Sequence, residues 1–137
     1  MQIPPNTSEK PVVFRGARVL DPANGLDDVC DVAYKDGRII GAETVDEAHI
    51  VDAQGYVITP GCIDMHTHLR EPGQEEKEDI ASGTRAAAAG GFTTVVAMPN
   101  SSPAVDSEDQ LARVQRLFKE KARGNVEPTA TLPMEAA

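Results

Sequence analysis

His66 and His68, one residue apart, are the two side chains in this sequence best suited to doing chemistry together. On an extended strand side chains alternate faces, so the spacing predicts that His66 and His68 project one way and Thr67 the other. Two imidazoles on one face can chelate a divalent ion. A bare His-x-His is more often chance than a ligand pair, but its setting argues for ligands. Ahead of it runs Tyr56-Val57-Ile58-Thr59-Pro60-Gly61-Cys62-Ile63, with a Pro-Gly turn and a short buried-strand pattern; behind it come Arg70, Glu71 and a second turn, Pro72-Gly73. The histidines fall where a strand gives way to a loop, where α/β folds place their chemistry.

The elements that must hold them follow from periodicity. Residues 75–89 are rich in Glu, Lys and Ala and predict a helix with Ile80, Thr84, Ala87 and Ala88 along a narrow face, stopped by Gly90-Gly91. Phe92-Thr93-Thr94-Val95-Val96-Ala97 is a β-branched run fit for a strand buried on both faces. Ser107 with Gln110 reads as a capping box opening a second helix, with Leu111, Val114, Leu117 and Phe118 on one face and an end near Gly124. Residues 125–132 can begin another strand. This order is the βαβ pattern of a parallel sheet.

Residues 12–60 instead show short strand-like runs between turn signals, of which Asp36-Gly37 is the clearest hairpin. A small β-rich unit is expected there, after a loose polar leader at 1–11.

In right-handed βαβ units the carboxyl ends of successive strands lie side by side. The loop after His68 and the loop Met98-Pro99-Asn100-Ser101-Ser102-Pro103 should then be neighbours, bringing Arg70 and Asn100 together beside the histidines. A guanidinium fork and a carboxamide would suit a small anionic substrate carrying amide groups. Equally, Arg70 reads as a solvated charge and Asn100 as a turn residue.

Composition narrows the field. With 22 acidic against 13 basic residues the formal net charge is −9, and no Lys/Arg cluster stands out, which argues against a nucleic-acid partner. No segment approaches the roughly 18 apolar residues of a membrane span, and no signal pattern opens the chain, so a cytoplasmic protein is expected. Cys30 and Cys62 lack metal-type spacing, and Cys62 reads as a small buried filler.

Asp64-Met65-His66-Thr67-His68-Leu69-Arg70-Glu71-Pro72-Gly73, with Lys77-Glu78-Asp79-Ile80, the run from Ser82 to Val95, and Met98-Pro99-Asn100, resembles the dihydroorotases of the longer, bacterial type within the amidohydrolase superfamily. Allantoinases and dihydropyrimidinases share parts of this pattern, but Leu69 to Gly73 combined with Met98-Pro99-Asn100 is closer to dihydroorotase. The resemblance implies an α/β fold: an incomplete TIM-like (β/α)8 barrel at 61–137, preceded at 12–60 by part of a small β-sandwich. It implies His66 and His68 as Zn2+ ligands, Arg70 and Asn100 as holders of a substrate carboxylate, and Asp64, on the histidines' strand face, as a residue that orients them. The implied reaction interconverts N-carbamoyl-L-aspartate and (S)-dihydroorotate in pyrimidine (UMP) synthesis. Homo-oligomers and association with aspartate carbamoyltransferase are the partners it suggests.

The sequence departs from that family in one respect. Family members complete the metal site and supply the general base from later barrel strands, whereas here the only other histidine is His49 and no Asp follows Asp109. A barrel takes about 250 residues, and residues 133–137 no longer match the pattern. An N-terminal fragment, truncated or frame-shifted and inactive alone, is the expectation, with the sheet edge at Phe92 to Ala97 prone to association. An allantoinase- or hydantoinase-type enzyme and a non-catalytic scaffold subunit are the competing readings. His-x-His equally serves cobalt, iron and manganese.

Overall fold

In the computed structural model, which describes residues 10–131, Asp36 and Gly37 take φ of 49° and 79° and reverse the chain between two antiparallel strands. Those positive angles fit the two-residue hairpin turn that an Asp-Gly pair favours. The leader, apart from Lys10 and Pro11, and the tail at 133–137 lie outside the described residues.

The chain divides into two units, Met1–Pro60 and Gly61–Ala137. In the first, β1 (Val12–Asp21), β2 (Leu26–Lys35), β3 (Arg38–Ile40), β4 (His49–Asp52) and β5 (Val57–Ile58) form one five-stranded sheet ordered β3-β2-β1-β4, with β5 also on β1. The β1–β2 and β2–β3 pairs are antiparallel, while β4 and β5 run parallel to β1. The two runs expected at 12–14 and 17–20 are one strand, because Gly16 at φ 72° lets β1 pass through a register shift without ending. Val13, Ala17, Val19, Ala33 and Val51 are buried, whereas Val29, Ile39, Ile50 and Val57 are exposed. Among the described residues of this unit there is no second sheet layer.

The second unit has the predicted order: β6 (Cys62–Thr67), α1 (Ile80–Ala89), β7 (Phe92–Ala97), α2 (Glu108–Lys121) and β8 (Asn125–Pro128). The strands form a parallel sheet ordered β6-β7-β8. Its core joins Leu69, Ile80, Val95, Ala97, Val105, Val114 and Phe118, so the helical stripe of α2 packs as its spacing predicts. An α/β architecture follows.

Five expectations need correction. The first helix starts at Ile80 instead of residue 75, because Asp79 caps it: its carboxylate accepts from the Ser82 N–H at 2.7 Å and the Ser82 hydroxyl reaches back to the Asp79 N–H, a full capping box. At α2 only half of the expected box forms; Ser107 Oγ accepts from Gln110 N–H at 3.4 Å, while Gln110 Oε1 is buried without a partner. β7 is the central strand, flanked by β6 and β8, so it is not an open edge. It also buries only Val95 and Ala97 fully. Within this unit the exposed large apolar side chains among the described residues lie on β6, where Ile63 is 61% and Met65 76% exposed. Cys62, expected inside, is exposed.

No helix among the described residues is long and apolar enough to cross a membrane.

Candidate functional site

The carboxyl ends of β6 and β7 meet as the βαβ rule requires. Met98 N–H donates to the Thr67 carbonyl at 2.9 Å, and Ser102 N–H to the Pro72 carbonyl at 2.9 Å, so the two following loops are tied along their length. Gln74 adds a side-chain tie, its Nε2 donating to the Asn100 carbonyl at 3.1 Å. Gly73 permits the closest approach. It sits at φ 94°, and a Cβ there would run into the Ser102 carbonyl.

His66 and His68 face one another edge-on, with ring centroids 5.1 Å apart and planes at 67°. His66 is exposed and His68 half-buried. His68 Nδ1 lies 2.9 Å from Asn100 Oδ1. A carboxamide oxygen only accepts, so this contact places the proton on Nδ1 and leaves the Nε2 lone pair free.

Strict alternation does not survive on β6. Asp64 pairs with Val95 and Thr67 with Ala97, so Met65 and His66 together lie opposite Val96, a bulge. Asp64 and Thr67 therefore share the side of the buried Val95 and Ala97, and with Gly83 and Ala87 of α1 they line a cavity of about 260 Å³. His68 lines the same cavity as Asp64. Asp64 Oδ1 accepts the backbone N–H of His66 at 3.0 Å, fixing the bulge. Thr67 Oγ1 is buried without a hydrogen-bond partner.

Arg70 stands on the same loop, half-buried, at φ 63°. Among the described residues its guanidinium makes no hydrogen bond to Asn100, so of the two only Asn100 joins the histidines directly. An unpartnered guanidinium remains open to an anion.

Several positioning residues were not legible beforehand. Glu71 is buried and ion-paired with Lys121, whose pKa it raises by accepting that ammonium's hydrogen bond. Glu75 accepts from the Gly73 N–H at 2.9 Å, and that bond holds its carboxyl below the usual range. Asp79 is likewise lowered, chiefly by the Ser82 backbone and hydroxyl. Of these only Asp79, an N-cap residue just before Ile80, carried a sequence signal.

Residues 55–137 match the family described as "Dihydro-orotase-like". The chain belongs to the dihydro-orotase-like family. Among dihydro-orotase-like relatives, it is 50% identical over 125 residues to a protein of Streptococcus pneumoniae serotype 4 named "Dihydroorotase", covering 88% of this chain and 29% of that protein. A protein of the same name from Elusimicrobium minutum is 49% identical over 118 residues, covering 84% and 27% respectively. The chain thus spans less than a third of the curated relatives it matches. An L-hydantoinase (dihydropyrimidinase) structure from Arthrobacter aurescens superposes with a TM-score of 0.77 at 20% identity, over 87% of this chain and 27% of that one, a likeness of fold.

The spacing of the two imidazoles fits a shared metal ion whose ligand set further residues would complete. With tetrahedral Zn–N bonds of about 2.0–2.1 Å, two imidazole centroids lie roughly 5 Å apart, and here they are 5.1 Å apart. Zinc sites take at least three protein ligands. Among the described residues no cluster of three or more His, Cys, Asp or Glu forms.

Proposed function

We propose that this sequence is the metal-binding and carboxylate-binding part of a zinc-dependent cyclic amide hydrolase, a dihydroorotase that interconverts N-carbamoyl-L-aspartate and (S)-dihydroorotate. The observation that carries the reading is the His68–Asn100 contact at 2.9 Å, which joins a candidate metal ligand to a candidate substrate-binding loop. In this reading the second unit is the opening βαβαβ of a (β/α)8 barrel and the first is part of a small β-sandwich.

His66 and His68 hold the metal. Zinc, when bound, supplies acidification of water and polarisation of the ring carbonyl. The Arg70 fork takes the ring carboxylate in a charge-assisted contact, and the Asn100 NH2 donates to the same group while its Oδ1 holds His68. Asp64 fixes the backbone of His66. No residue of this chain is assigned the general base, and residues 1–137 on their own are proposed to bind metal weakly and turn over no cyclic amide.

A substrate panel on the native chain that contains residues 1–137 tests this. Hydrolysis of dihydroorotate in preference to allantoin, a hydantoin and dihydrouracil is expected. Preference for a ring without a carboxylate would move the assignment to a hydantoinase-type enzyme, and turnover of none would favour a non-catalytic role.

A further inference from the structure

Glu71 is a carboxylate the chemistry above does not use, yet its side chain is only 5% exposed. Its Oε2 accepts the Ile80 N–H at 3.1 Å, at the first turn of α1, and its Oε1 is paired with Lys121 Nζ, at the last turn of α2. A buried carboxylate with both oxygens engaged on two helix ends is a rigid fixture.

Directly before it, Glu71 N–H donates to the Leu69 carbonyl at 2.7 Å around Arg70, whose φ is 63°. That is a γ-turn with its central residue at positive φ, the rarer and more strained form. A non-glycine residue keeps such a backbone only where its surroundings over-determine it. Here Leu69 is locked in the core on one side and Glu71 is clamped on the other. The one side chain at the apex, Arg70, is left without a partner of its own among the described residues.

We propose that Glu71 is a positioning residue for Arg70: by anchoring to Ile80 and Lys121 it holds the γ-turn that aims the guanidinium at a substrate carboxylate. This rests on the reading of Arg70 given under Proposed function. A Glu71 with a purely structural task would support the α1–α2 junction without setting the direction of Arg70.

Two measurements separate these. In the chain 1–137, the intraresidue HN–Hα contact and coupling of Arg70 in NMR spectra report the sign of φ. Wild type should show the positive-φ signature, and Glu71→Gln, which keeps an acceptor for Ile80 but not the charge facing Lys121, should lose its single conformation, as should Lys121→Met. Retention of the signature in both folded variants overturns the proposal. In the native chain that contains residues 1–137, Glu71→Gln should raise KM for dihydroorotate, on the order of 100-fold, with zinc affinity unchanged. The double variant with Arg70→Met should be no worse than Arg70→Met alone. Additive losses, or an equal loss of zinc affinity, overturn the proposal. If Arg70→Met leaves KM unmoved, the carboxylate reading itself fails.

Discussion

Asn100 Oδ1 meets His68 Nδ1 at 2.9 Å, across a sequence separation of 32 residues. A side chain on the loop after β7 thereby sets the tautomer of an imidazole on the loop after β6. Groups that orient a ligand in this way are typically worth about 10–100-fold in metal affinity. Asn100→Ala should therefore weaken zinc binding to the chain by about that factor, read by competition against a chromophoric chelator, whereas Asn100→Asp, which keeps an acceptor, should bind at least as tightly as wild type.

If Arg70 takes a substrate carboxylate as proposed, its φ of 63° sets function against stability. A left-handed backbone costs an L-residue roughly 1–2 kcal/mol, and glycine carries its own entropic cost of roughly 0.5–1 kcal/mol. Arg70→Gly should leave the denaturant midpoint unchanged or raise stability by up to about 1.5 kcal/mol, while abolishing preference for carboxylate-bearing rings.

Gly73 permits the contact of the two loops, with φ 94° and no room for a Cβ beside the Ser102 carbonyl. Gly73→Ala should destabilise by about 1–3 kcal/mol. In NMR spectra it should displace the His68 and Asn100 signals together, while those of the first unit stay in place.

Acid should loosen α1. The Asp79 carboxylate is held below its ordinary pKa, first by the Ser82 N–H and then by the Ser82 hydroxyl. Its contribution is therefore complete above the unfolded carboxylate pKa and is lost as pH falls through the depressed folded value. Asp79→Asn, which keeps an acceptor but does not titrate, should flatten the acid limb of a melting-temperature profile; an unchanged limb would assign it to other carboxylates.

Much of this arrangement was legible in the residues. Asp36-Gly37 announced its hairpin through the backbone angles that pair favours, and Phe92 to Ala97 its strand through β-branching. The adjacency of Pro72 and Ser102 followed from βαβ handedness alone. What failed were inferences from simple periodicity. The bulge at Met65-His66 breaks the expected strict alternation by setting two residues opposite Val96, while Asp64 and His68 still line one cavity. The first helix began five residues late because Asp79 capped it and Glu75 turned back to the Gly73 amide. The burial of Glu71 depends on Lys121, fifty residues away, and no local pattern reports a partner at that distance.

Zinc titration of the chain 1–137, compared with His66→Ala, His68→Ala and His49→Ala, tests the central claim most directly, because His49 lies on β4 in the other unit. The account predicts one weak site, lost in either of the first two variants and untouched in the third. Equal zinc binding by wild type, His66→Ala and His68→Ala would contradict it.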